Sequence, residues 1–182
     1  MSSLLHRILS STHARTHDNR GTADTETVRR IVDQLEAMDP ARARFLAAFA
    51  FVLARVANAD LEISREETAR MEGIVVEQSG LPEEQAVLVV QIAKAQQRLA
   101  GGTENYLVTR ELNEIAGREE KLRVLDCMFA VAAADDAITL AEENAIRTVA
   151  TELGFSHREF SEVRSKYNSQ RTILRDLPGE NH

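Results

Sequence analysis

The sequence predicts an all-α fold, a compact bundle of about seven to eight helices with an internal helix-loop-helix duplication. Three observations point there. The chain is rich in Ala, Leu, Glu and Arg, the strong helix formers, and only 8 Gly and 3 Pro interrupt its 182 residues. Its apolar residues recur at i, i+3, i+4 and i+7 rather than alternating. One stretch is also repeated: residues 56–67 return as residues 131–142 at a constant offset of 75, without a gap from Val56 to Glu77.

Residues 1–23 read as a flexible polar arm, with little apolar periodicity after Leu9. A first helix carries Val28, Ile31, Val32 and Leu35 and ends before Asp39-Pro40, where Asp39 can cap and Pro40 can open the next helix. That second helix has Phe45, Phe49, Val52 and Val56 on one stripe and runs to about Asn58. A third begins after Ser64, buries Met71, Ile74 and Val75, and stops at Ser79-Gly80, since Gly suits the left-handed residue just past a helix. Pro82 opens a fourth with Ala86, Val89, Val90 and Ala93, closed by Gly101-Gly102. A shorter helix with Tyr106, Leu107 and Leu112 ends at Gly117.

The second copy follows, with Leu122, Leu125, Met128 or Phe129, and Ala132 facing inward. Its partner helix bears Ile146, Val149, Ala150 and Leu153 and stops at Gly154. Ser156-His157-Arg158-Glu159 is a capping box that opens a last helix with Phe160, Val163 and Tyr167. The folded domain is thus expected over residues 24–167, and residues 168–182 are expected to form a flexible tail. Ala47-Ala48 and Ala132-Ala133-Ala134 would let backbones approach closely where the copies cross.

The repeat singles out Asp60 and Glu67 in the first loop, and Asp135 and Glu142 in the second. Ser64-x-x-Glu67 and Thr139-x-x-Glu142 fit the capping box, which needs no ligand. Asp60 and Asp135 fall at helix C-termini, where the dipole disfavours a carboxylate. Two readings stand open there. An Asx-type turn lets the carboxylate accept loop N–H groups. Alternatively, carboxylates from both loops, Asp60, Glu67, Asp135 and Glu142, with Glu62 and Asp136 adding charge, supply oxygen ligands to a hard divalent cation, Ca²⁺ or Mg²⁺. The first loop is not an EF-hand, because Arg65 replaces the required Gly and Met71 the bidentate Glu.

Composition narrows the function classes. A net charge of −7 argues against nucleic acid and suits cations. The longest apolar run, Phe45 to Ala54, is too short to span a membrane, and the N-terminal Leu4–Leu9 stretch is too short for a signal peptide. That stretch offers at most a weak membrane-surface contact. A lone cysteine, Cys127, excludes an intrachain disulfide and reads as a buried small hydrophobe. His13 and His17 read as incidental arm residues, and His157 as an exposed first-turn residue. The chain holds no nucleophile–base pair, P-loop, CxxC or HExxH, so it reads as non-enzymatic and cytoplasmic.

The loops Ala57-Asn58-Ala59-Asp60-Leu61-Glu62-Ile63 and Ala132-Ala133-Ala134-Asp135-Asp136-Ala137-Ile138, each followed by its glutamate, carry a resemblance. With Tyr106-Leu107-Val108-Thr109-Arg110-Glu111-Leu112-Asn113 between them, and Ile146–Leu153 and His157–Phe160 after, the chain resembles the bacterial tellurite-resistance TerB-like family over about residues 25–167. The resemblance implies an all-α fold, a role in tellurite and related chemical stress, an acidic metal site and no enzymatic activity. Similar domains beside J-domains imply scaffolding as another use, with protein partners and acids that only cap helices and shape loops. The family loop usually runs Asp-Gly; here the Gly positions hold Leu61 and Asp136, and Leu does not take φ > 0 cheaply.

Overall fold

The computed structural model describes residues 21–57, 65–97, 105–135 and 137–171. Eight α-helices run through them: α1 (Gly21–Glu36), α2 (Pro40–Ala57), α3 (Arg65–Ser79), α4 (Glu83–Gln97), α5 (Asn105–Ile115), α6 (Arg118–Ala132), α7 (Leu140–Glu152) and α8 (His157–Ser165). Short 3₁₀ turns cover Ala133–Asp135 and Asn168–Gln170. Among the described residues there is no strand, and the fold is all-α as the helix-period pattern requires. No helix is long and apolar enough to cross a membrane.

The bundle is built around α2. Its stretch from Phe45 to Val56 is buried on nearly every side, with only Phe51 and Arg55 reaching partial exposure. A helix apolar all round must be enclosed by others, and α1, α4, α5, α6 and α7 all pack against it. Four alanines, Ala47, Ala48, Ala50 and Ala54, keep its cylinder thin enough for that many neighbours. Phe45 and Phe49 supply bulk, with ring centroids 6.2 Å apart.

The duplication is organised by exchange between copies. In the first copy the helices are α2 and α3, in the second α6 and α7. The second helix of each copy packs on the first helix of the other: α3 lies on α6, and α7 lies on α2. The repeat is therefore one interlocked unit in which each half helps bury the other.

Local chemistry sets the helix ends where the sequence places them. Asp39 Oδ1 accepts the backbone N–H groups of Ala41 (2.9 Å) and Arg42 (3.1 Å), and Pro40 fills the first helical position, where a missing N–H costs nothing. Ser156 accepts from the Glu159 amide while Glu159 reaches back to the Ser156 N–H at 2.9 Å. Gly154 closes α7 at φ +77°, which lets Phe155 N–H return to Ala150 O at 2.9 Å. Gly80 plays the same part after α3 at φ +67°.

Leu107 is 47% exposed, and Val108, the next residue, turns into the core with Leu112. Two expectations are corrected. Ile74 is only half-buried, while Met71 and Val75 of the same helix are buried. The fold does not end at residue 167 either. Asn168–Arg171 dock on the domain, and a parallel bridge joins Arg171 to Ile138. At the other end, α1 begins at Gly21, inside the expected arm. His6, His13, His17, Leu4–Leu9, Gly101-Gly102 and residues 172–182 lie outside the described residues.

Leu53 sits fully buried in the middle of α2. Leu53→Ala is expected to cost about 3 kcal/mol or more in urea unfolding, from lost burial plus the cavity left among helices that cannot collapse together. Gly154→Ala meets no neighbouring atom but must hold a positive φ, so about 1 kcal/mol is expected.

Candidate acidic loops and their surroundings

The second acidic loop begins where α6 passes into the 3₁₀ turn Ala133–Asp135 and ends at the Thr139 cap of α7. Glu142 is spent on that cap. Its Oε2 accepts the Thr139 N–H and hydroxyl, both at 2.8 Å, and its own N–H donates to Thr139 Oγ1 at 3.2 Å. The box is complete with protein groups alone, so Glu142 acts first as a helix start. Asp135 ends the 3₁₀ turn, and its side chain lies outside the described residues. In the first loop, Glu67 occupies the first turn of α3 with its side chain likewise undescribed. Asp60, Glu62 and Asp136 fall wholly outside the described residues.

Arg70 ties α3 to the second loop. This residue, five positions into α3, sends its Nη1 donor to Ala134 O at 2.9 Å. The start of α3, where the first acidic loop ends, is about 7.5 Å further along the same axis. The crossing of α3 over α6 thus ties α3 to the second acidic loop. The charge that the sequence gives the two loops is lopsided. Residues 60–67 hold Asp60, Glu62, Glu66 and Glu67 against Arg65, and residues 135–142 hold Asp135, Asp136 and Glu142 with no base. Among the described residues, no three His, Cys, Asp or Glu side chains cluster as a metal site.

Next to the cap lies a group that sequence reasoning missed. Glu143 is 2% exposed and accepts from three arginines. Arg171 gives it two bonds, Nε to Oε2 at 2.7 Å and Nη2 to Oε1 at 3.1 Å. Arg164 Nη1 and Arg147 Nη2 reach Oε1 at 3.2 and 3.1 Å. Both of these guanidinium groups also lie over the Phe160 ring, at 5.5 and 4.9 Å. Burial pushes the Glu143 carboxyl up, but the hydrogen bonds and charges of Arg171 and Arg164 outweigh it and hold the group below its ordinary range.

The repeat carries a trace of this. At the offset of 75, Glu143 corresponds to Thr68, whose hydroxyl accepts from Lys94 Nζ at 3.0 Å. Both positions turn a polar acceptor inward toward a base from another element. The available signal was Glu143's place on the buried stripe of Ile146 and Ala150, one and two turns on.

A further ion pair ties α2 to its neighbours. Arg55 Nη1 donates to Glu152 Oε2 at 2.8 Å and to Thr109 Oγ1 at 3.0 Å, joining α2, α7 and α5. Tyr167 stacks on Phe129 with centroids 5.5 Å apart, and its hydroxyl is 3.2 Å from Asp126 Oδ1. Cys127 is buried as expected, and burial, helped by Asp126, pushes its thiol up to about 12, which keeps it protonated and inert. His157 is exposed at the start of α8.

Fold and loops together define an all-α module built on an interlocked helix-loop-helix duplication. Residues 45–165 match the family model of the tellurite resistance protein TerB, and the chain belongs to that family. The match runs from the buried stretch of α2 to the end of α8. No curated protein and no solved structure matches the chain.

Glu142→Ala removes one half of the α7 box and is expected to cost about 1 kcal/mol in chemical denaturation. Glu143→Gln leaves three arginines facing a neutral amide, and a loss of about 2 kcal/mol is expected at neutral pH. A carboxyl held below its ordinary 4.5 stabilises the fold fully above that pH and loses this contribution as pH falls. The gap between wild type and Glu143→Gln should therefore narrow below pH 4.5 in paired denaturation curves.

Proposed function

We propose that this TerB-family chain is a non-enzymatic, cytoplasmic stress-response module whose two acidic loops together hold a divalent cation, Ca²⁺ or Mg²⁺. The observation that supports the reading is the Arg70–Ala134 hydrogen bond, which ties α3, the helix that follows the first loop in sequence, to the second loop. Each loop carries a surplus of carboxylates in the sequence. Hard cations take oxygen ligands, and carboxylates gathered in mutual repulsion gain most from one. Because Glu142 is spent on its cap, the ligands fall to Asp60, Glu62, Asp135 and Asp136. Glu67, as the counterpart of Glu142 in the repeat, is assigned to capping α3. The family's link to tellurite resistance supports the assignment to chemical stress.

A second reading is favoured by the completeness of the Thr139–Glu142 box. In it the acids only cap helices and shape loops, and the module is a scaffold for protein partners.

Calorimetric titration of chelator-stripped protein with Ca²⁺, Mg²⁺ and Zn²⁺ separates the two. The cation reading expects binding by the wild type, its loss in the Asp60→Asn/Asp135→Asn variant, and a rise in melting temperature worth about 2.7 kcal/mol at a hundredfold excess over Kd. Absence of heat and of any melting shift at millimolar ion would leave the scaffold reading.

A further inference from the structure

The chain beyond α8 returns to the second acidic loop and grips it at two points. Ile138 N–H, on the loop, donates to Gln170 O at 2.6 Å, and the backbones of Ile138 and Arg171 pair in parallel. Behind this bridge the Arg171 guanidinium reaches the buried Glu143 carboxylate with two bonds, and its Nη1 donates to Asn168 Oδ1 at 3.1 Å. Ile138 is itself 1% exposed and belongs to the core. The loop is thus held between α6 on one side and Asn168–Arg171 on the other.

We propose that Asn168–Arg171 is a clasp on the second acidic loop, locked by the Arg171–Glu143 pair, so that what the loop binds and whether the segment is docked are linked. The identity of the loop's ligand rests on the cation reading above; the clasp itself does not. Arg171 is the positioning residue, because it alone among the three arginines on Glu143 comes from the docked segment. Arg147 and Arg164 belong to α7 and α8, and removing either leaves the bridge to Ile138 in place. Linkage runs both ways: an ion that fixes the loop tightens the clasp, and opening the clasp weakens the ion's hold.

Amide exchange followed by NMR on the full-length protein tests this. Arg171→Ala is expected to speed exchange of the Ile138 amide by about tenfold or more while the α2 amides keep their rates, the signature of a local opening. Arg147→Ala also removes a cation from Glu143 but should leave the Ile138 rate within about twofold. Should Arg171→Ala loosen the whole fold, Arg171→Lys, which keeps the charge and loses the paired bonds, decides by the same ratio of Ile138 to α2 rates. An unchanged Ile138 rate, or an equal effect from Arg147→Ala, overturns the clasp. Ca²⁺ added to the wild type should slow Ile138 exchange and bind several-fold more weakly to Arg171→Ala. If Ca²⁺ binds neither protein, the cation reading fails while the Ile138 comparison still judges the clasp.

Discussion

The enclosure of α2 is the constraint on which the rest depends. A helix with apolar residues on almost every face has no position at the surface, and Phe45 to Val56 are accordingly walled in by helices from both halves of the chain. Alanines at four of its positions set how near those walls stand. Once α2 is central, α7 must lie against it from the second copy. By the same duplication α3 must lie against α6. The interlock then fixes which helices of the two copies meet. The Arg55–Glu152 pair sits on this axis, holding α2 to α7 through a partly buried bond. Its specificity matters more than its energy, since desolvation offsets much of the attraction in such pairs.

The duplication has been kept for architecture and relaxed for chemistry. Glu77 and Glu152 correspond across the copies, yet Glu152 pairs with Arg55 while Glu77 stays exposed. Thr68 and Glu143 correspond, yet the first accepts from Lys94 and the second from three arginines. After the second copy, Asn168–Arg171 returns to its loop. The second loop is held by the Thr139 cap, the Arg70 bond to Ala134 and the Gln170 bond to Ile138, all within a few residues.

Much of this was legible in the amino-acid order. Helices with a 3.6-residue stripe announce themselves, and their ends carry local chemistry: Asp39-Pro40, Thr139-x-x-Glu142, Ser156-x-x-Glu159, Gly80 and Gly154 all act where they were placed. The acidic loops stood out because they were written twice. What stayed hidden depends on distance along the chain. Glu143 looks like one more first-turn acid until Arg171, 28 residues on, folds back to it. A polar segment such as Asn168–Arg171 gives no periodic signal, and its order comes from one bridge and one buried carboxylate.

The central claim is that the duplication gathers both acidic loops at one end of the bundle as a single cation site. Mn²⁺, as a paramagnetic stand-in for Mg²⁺, tests it most directly in an NMR titration of isotope-labelled protein. The account expects substoichiometric Mn²⁺ to broaden the amides of Arg65–Arg70 and Ala133–Thr139 together, and to spare Ser79, about 21 Å along α3 from Arg65. Broadening at one loop alone, or spread over the surface carboxylates without preference, would contradict it.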